Sequence, residues 1–273
     1  MAKQTSGFSV GRSIFAWSAL LFGFTGVGVL WLWAAHVNPD NGFSPAIIVI
    51  AYASSLAAIL TAWLVRGAGG LGPLLRQVLV WRVSLGWYAL ALLMPLALVF
   101  AAVFLYVLGG GKVSGAWLAV PASGDIGGMI GPLIAGALGE EIGWRGFAQR
   151  LLQQRFTVLT ASLLVGLFWA TWHLWPIIAP GGHVHATSLE VFETYARLIA
   201  TAVLYGWIFA RTKSVLLPML AHAGHNIAVD LVPSALLNGT AVPLLITILY
   251  GAVAIAVIVA RPGHFLGSPA ARN

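Results

Sequence analysis

The chain has no cysteine. That excludes disulfides, thiolate metal ligands, a cysteine nucleophile and acylation on cysteine. It also means the chain is not itself a prenylation substrate. Charge is scarce: 8% of residues are Asp, Glu, Lys or Arg, against roughly 25% in a soluble domain. Only 7 residues are acidic. There is no internal repeat, and no stretch polar enough to form a soluble domain. The first apolar run is too long for a signal-peptide core of about 7–15 residues, so it reads as a retained helix.

What fills the chain instead is apolar sequence, 60% hydrophobic with a mean hydropathy of +0.93. The expected fold is an all-α polytopic membrane bundle forming a single domain over 1–273, with a functional core over about 126–232. Spans need about 20 apolar residues. Eight stretches qualify: Ile14–Ala35, Ala46–Val65, Trp87–Leu108, Ile126–Ala148, Val158–Ile178, Thr194–Ala210, Val215–Val232 and Ala241–Ala260. Leu71–Leu85, with Arg76 and Arg82 among leucines and valines, reads as an interfacial amphipathic helix. Breaks fall at Asn38-Pro39-Asp40-Asn41-Gly42, at Gly109–Gly111, at Pro180-Gly181-Gly182 and at Pro233.

The net charge of +7 would suggest nucleic acid in a soluble protein. Here the basic residues flank spans, so topology and anionic lipid account for them and no nucleic-acid partner is expected. With the N-terminus inside, 12 of 14 basic residues face the cytoplasm: Lys3, Arg12, Arg66, Arg76, Arg82, Arg145, Arg150, Arg155, Arg211, Lys213, Arg261 and Arg272. Lys112 and Arg197 fall on the other side, with Asp40, Asp125, Glu190, Glu193 and Asp230. An even number of spans returns the C-terminus to the cytoplasm. Trp31, Trp33, Trp63, Trp81, Trp87, Trp117 and Trp175 lie near span ends, as an aromatic belt requires. The compact size and lack of targeting signals point to a prokaryotic plasma membrane.

Three spans carry groups that hydrocarbon does not tolerate. A charge at bilayer depth costs at least about 2.5–3.5 kcal/mol, so such residues pair, line wet cavities or do chemistry. The fourth span has Glu140, Glu141 and Arg145; the fifth has His173; the seventh has His222, His225 and Asn226. Glu141 and Arg145 are four residues apart and share a helix face, so they can pair. Glu140, rotated by about 100°, is left to face the interior. Gly136, Gly139, Gly143 and Gly146 form a stripe along which a neighbouring helix can approach closely. His222 and Asn226 are one turn apart and share a face. A glutamate and two histidines from three helices can hold a water; Glu140, His173 and His222 could equally bind zinc, at about 2.0–2.2 Å. Asn226 can donate to a developing oxyanion. Trp169 and Trp172 are candidates for a substrate pocket or for packing. His225 reads as spare, and His183 and His185 as solvated loop residues.

One feature of depth conflicts with this grouping. At 1.5 Å per residue, Glu140 lies about 12 Å from the inner end of a span ending at Ala148, and His173 about 24 Å from the start of one beginning at Val158. Tilt, a deep cytoplasmic cavity or different helix ends are needed to bring them level.

Taken in order, Glu140-Glu141-x-x-x-Arg145, an aromatic-x-x-x-His motif ending at His173, and His222-x-x-x-Asn226 resemble the CAAX-protease and bacteriocin-processing family. These are the type II CAAX prenyl endopeptidases and their prokaryotic relatives, and the similarity runs over about Gly136 to Asn226. The resemblance implies an intramembrane endopeptidase acting on a membrane-associated protein or peptide, prenylated CAAX proteins being the known substrates. It implies that Glu140 activates the attacking water and His173 holds that water or a metal. His222 and Asn226 would stabilise the oxyanion, with Glu141 and Arg145 organising the site. It leaves open whether a divalent metal such as zinc takes part. The chain has Trp169 where the family's second motif usually begins with phenylalanine, which predicts a change of pocket shape more than of chemistry. His-Glu-x-x-His and Gly-x-Ser-x-Gly are both absent. The alternatives are a non-enzymatic interaction or immunity protein on this scaffold and a small proton-coupled transporter.

Overall fold

The computed structural model describes residues 9–38, 44–113, 115–120, 126–181 and 186–267. Lys3, Asp40, Asp125, His183, His185 and Arg272, and most of the break after Asn38, lie outside the described residues. Within them the fold is helical, with no strand. The order is α1 (Val10–Ala34), α2 (Pro45–Ala51), α3 (Ala53–Arg66), α4 (Ala68–Leu75), α5 (Leu85–Leu108) and α6 (Ile126–Glu141). A π-helix (Ile142–Gln149) follows, then α7 (Arg150–Leu152), α8 (Val158–Trp172) and α9 (Trp175–Ile178). The chain ends with α10 (Ser188–Thr212), α11 (Leu216–Asp230), α12 (Ser234–Leu237), α13 (Ala241–Ala260) and α14 (Pro262–Leu266).

Each apolar stretch read in the sequence folds as helix, continuous or broken. Among the described residues, Val10–Ala34, Leu85–Leu108, Val158–Ile178 and Ala241–Ala260 are long and apolar enough to cross a membrane. Pro45–Ala51 and Ala53–Arg66, bent by 60°, make a fifth candidate taken together. Of the other three stretches, the fourth carries Glu140, Glu141 and Arg145 and the seventh carries His222, His225 and Asn226, whereas His173 lies within Val158–Ile178. Large side chains such as Phe15, Leu30, Phe104, Ile255 and Val259 are exposed on the outer helices. A soluble monomer rarely exposes so much apolar surface; a bilayer accommodates it. The chain is a multi-pass membrane protein.

Two expected elements have different ends. Leu71–Leu85 is not one helix: α4 stops at Leu75, and the carbonyls of Gln77 and Val80 accept from Val215 N–H and from the Ser214 hydroxyl at 2.6 Å. Those carbonyls serve the α10–α11 turn rather than a helix of their own. The sixth stretch starts at Ser188, not Thr194, because Thr187 and Glu190 form a reciprocal capping box. The signal, Thr followed three residues later by Glu, stands in the sequence.

The bundle has two chemically different ends. Arg66, Arg150 and Val10 line one cavity at one end, and Arg211 and Arg261 line a groove there with Ser84. At the opposite end the Trp33 indole donates to the Ile178 carbonyl, and Ala119 N–H to the Leu231 carbonyl.

The middle of the bundle is organised by the passage from α6 into the π-helix. Changing from four-residue to five-residue hydrogen bonding leaves backbone groups to be satisfied from outside, which is costly away from water. Helix α3 supplies the partners. The Ser54 hydroxyl donates to the Glu140 carbonyl at 2.8 Å, and Gly143 N–H donates to the Ser55 hydroxyl at 3.3 Å. From α4's side, Gln77 donates to the Gly146 carbonyl at 3.1 Å.

The glycine stripe makes this approach possible in part. A Cβ at Gly139 would lie 2.8 Å from the Tyr52 ring, and one at Gly143 would overlap the Ser54 carbonyl. Gly136, by contrast, has open space beside it. Gly143→Ala is therefore expected to push α3 off the π-helix and destabilise the protein by about 1–3 kcal/mol, whereas Gly136→Ala stabilises slightly or is neutral. Chemical unfolding in mixed micelles measures both; equal effects would show that the Gly143 contact is not tight.

Candidate active site

Four elements converge on one buried cluster. At the end of α6, Glu140 is 6% exposed and Glu141 is fully buried. One turn on, in the π-helix, Arg145 is fully buried and its Nη1 donates to Glu141 Oε1 at 2.7 Å. The same Oε1 meets His222 Nδ1, from α11, at 3.0 Å. Since a carboxylate only accepts, Nδ1 carries the proton and the ring turns Nε2 the other way. Glu141 thus orients both Arg145 and His222.

The guanidinium is also enclosed by rings. Its carbon lies 4.6 Å from the Trp169 ring centre and 5.1 Å from that of Tyr205. Nε and Nη2 of Arg145 have no hydrogen-bond partner among the described residues. The two π faces offset part of that cost, by about 0.5–2 kcal/mol each.

Glu140 points elsewhere, towards α8. Its Oε2 accepts from the Trp169 indole at 2.7 Å and from the Trp144 indole at 3.1 Å. Two donors occupy the lone pairs of that oxygen and leave Oε1 for another partner. Trp169 also fixes His173: its backbone carbonyl faces His173 Nδ1 at 3.0 Å, which puts the proton on Nδ1 and leaves Nε2 a lone pair. His173 is the C-cap of α8, its ring edge-on to Trp172 at 4.8 Å. One residue, through its indole and its carbonyl, holds both Glu140 and His173.

This arrangement settles the conflict of depth. The helical path from Glu140 runs on to Leu152, so Glu140 lies about 18 Å from its inner end, not about 12 Å. On α8 the residue at matching depth is Trp169, about 16 Å from Val158, and His173 stands one turn beyond. The helix end at Ala148 was set too early, and the tryptophan bridges the remaining step.

Trp169 and Trp172 are both buried, and the Trp172 indole donates to the Thr25 hydroxyl of α1 at 2.9 Å. Asn226 sits one turn from His222 on α11. His225 is not spare: its Nδ1 meets the Tyr250 hydroxyl at 2.8 Å. Residues not singled out in the sequence are Trp144, Tyr205, Ser54 and Ser55. The adjacent serines in the alanine-rich stretch Ala53–Ala58 were a usable signal; nothing in the sequence marks a π-helix. Among the described residues no three His, Asp or Glu side chains gather closely enough to hold a metal ion. The open atoms of the three candidate ligands, Glu140 Oε1 and the two histidine Nε2, do not gather on one point. The described side chains as placed do not fit a metal centre.

The site is thus a buried glutamate pair, two histidines, an arginine and an asparagine inside a helical membrane protein. Residues 122–228 match the family model described as type II CAAX prenyl endopeptidase Rce1-like, a range that brackets all three motifs. CAAX prenyl protease 2 of Methanococcus maripaludis is 29% identical over 99 residues, covering 33% of this chain and 35% of that protein. The match spans about a third of that relative's length. Over this segment the chain is similar to the type II CAAX prenyl endopeptidase Rce1-like family.

The tryptophan at 169 changes more than pocket shape. A phenylalanine there has no N–H to give Glu140. Trp169→Phe is expected to keep the His173 contact, which uses the backbone, and to lose one hydrogen bond to a carboxylate, worth about 1.5–3 kcal/mol. Turnover of any substrate processed through Glu140 should fall about 10- to 100-fold. Full turnover in Trp169→Phe would show that the Trp144 indole alone holds the carboxylate.

Proposed function

We propose that the protein is an intramembrane endopeptidase in which Glu140 activates a water for attack on a peptide carbonyl. The observation that carries this reading is the division of labour between adjacent glutamates. Glu141 is committed to Arg145 and His222, while Glu140 keeps Oε1 uncommitted and shares Trp169 with His173, whose Nε2 is bare. Water held between Glu140 Oε1 and His173 Nε2 gives its proton to Glu140 as its oxygen bonds to the carbonyl carbon. Asn226 and His222 share a face of α11 and stabilise the oxyanion, His222 as an imidazolium that donates through Nε2–H while its Nδ1–H stays on Glu141. Glu140 then returns the proton to the leaving nitrogen as the C–N bond breaks. Trp169 and Trp172 shape the wall that the substrate meets.

The substrate is a protein or peptide held at the membrane, with a prenylated CAAX tail the first class to try. That choice follows from the matched relative's name and from a site enclosed by apolar helices. The chain would cross a prokaryotic plasma membrane eight times, with both termini and the arginine-rich end in the cytoplasm.

The test is hydrolysis of a farnesylated CAAX peptide and of its unmodified counterpart by detergent-purified protein, beside Glu140→Gln and with and without chelator. Product from the wild type alone supports the reading. The chelator arms report on metal. Equal product from both proteins, or none from either peptide or any membrane-anchored peptide, would overturn it.

A further inference from the structure

Helix α10 carries a second charged pair that the proposed chemistry does not use. Glu193 is 5% exposed, and its Oε1 has no hydrogen-bond partner among the described residues. Arg197, one turn on, has a buried Nε in the same condition. Both line a cavity of about 290 Å³ at the end of the bundle away from the arginine-rich face, together with Thr187, Thr194, Asn238 and Thr240.

Buried oxygens and N–H groups left without partners are expensive, and folded proteins place water against them. The lining combines both signs of charge with hydroxyls and an amide. A lipid tail would satisfy none of these groups, and a lone ion would satisfy one sign only. Several waters satisfy all of them, and the volume holds several.

The cavity connects to the site through side chains. Arg197 is within electrostatic reach of Tyr250, which is fully buried on α13. The Tyr250 hydroxyl bonds His225 at 2.8 Å, and its side chain meets Tyr205. Tyr205 lies against the His222 ring at 6.3 Å and under Arg145. Polar groups therefore run from Tyr250 to the Glu141–Arg145–His222 cluster, with Arg197 acting on Tyr250 electrostatically from the cavity wall.

We propose that this cavity is a water vestibule, and that Tyr250 links its hydrogen-bonded water to the His222 cluster. Its purpose rests on the hydrolytic reading of the site, since each bond cleaved consumes one water. The presence of the water can be tested without that reading.

Hydroxyl-radical footprinting of the whole protein in lipid nanodiscs labels side chains that touch water, whatever their exposure to bulk solvent. Tyr250 and Trp17 are both fully buried, but Trp17 packs among Trp144, Phe147 and Phe168. Tyr250 should be modified at least about tenfold faster than Trp17, because the proposed link carries water from the vestibule past Arg197 to Tyr250 and none to Trp17. Equal protection of the two would overturn the water-filled link that the vestibule is proposed to feed. Tyr250→Phe, which keeps the ring, should lower kcat about tenfold at unchanged KM, the loss of one buried hydroxyl from the line. Unchanged kcat would overturn the link through Tyr250. Should Glu140→Gln hydrolyse peptide as well as wild type, the hydrolytic reading falls, while the footprint still decides whether water reaches Tyr250.

Discussion

Glu140→Gln is expected to lower peptide hydrolysis by about two to four orders of magnitude, the usual contribution of a positioned general base. The fold should survive the change, for a specific reason. Glu140 uses Oε2 to accept from two indoles, Trp144 and Trp169. A glutamine can put its carbonyl oxygen in that place and keep both bonds. Its amide nitrogen then occupies the position of Oε1, where the reaction needs an acceptor and finds a donor. Stability should therefore stay within about 1 kcal/mol of wild type, one hydrogen bond's worth, while turnover collapses. Single-turnover assays of both proteins, with unfolding in mixed micelles alongside, separate the effects. A glutamine variant that unfolds would place Glu140 in the structural scaffold. One that folds and cleaves normally would remove it from the chemistry.

Much of this cluster was legible from spacing alone. The Glu141–Arg145 pair follows from a four-residue separation on a helix, and the inward turn of Glu140 from a rotation of about 100°. Charge in an apolar segment needs a partner, so the cluster itself was foreseeable. The partners were less so. That Glu141 would also take His222, or that Trp169 would hold Glu140 by its side chain and His173 by its carbonyl, depends on how helices pack.

The π-helix left no mark in residue type, and it sets the rotation of everything after Glu141. Its support is more readable in retrospect. Ser54 and Ser55 stand alone among alanines, where two hydroxyls facing a neighbouring backbone have a reason to be. Helix ends were the weakest readings, and they had consequences. An inner end at Ala148 instead of Leu152 doubles a difference in depth that in the molecule is about one helical turn, spanned by Trp169. The segment after Leu75 has the composition of an amphipathic helix, and composition does not reveal that its carbonyls are claimed by another turn.

Removal of Arg145 should have the largest effect on stability. Arg145 and Glu141 are both fully buried and 2.7 Å apart. Glu141 Oε2 already lacks a hydrogen-bond partner among the described residues. With Arg145→Met, the carboxylate keeps only His222 as a partner in a dry interior. Breaking a buried pair from one side typically costs about 3–5 kcal/mol, since the remaining charge loses its compensation. The same change removes the cation from between the Trp169 and Tyr205 rings, at a further cost of about 0.5–2 kcal/mol per ring.

The double variant Glu141→Gln with Arg145→Met leaves no buried charge of the pair. It should be more stable than Arg145→Met alone, by about 1–3 kcal/mol. That recovery distinguishes loss of charge compensation from loss of packing, which a second substitution would deepen. Activity should not recover with stability, because glutamine no longer fixes His222 as a carboxylate does. A stable, poorly active double variant would assign Glu141 and Arg145 to orienting His222. Arg145→Met within about 1 kcal/mol of wild type would mean that Glu141 finds its compensation elsewhere.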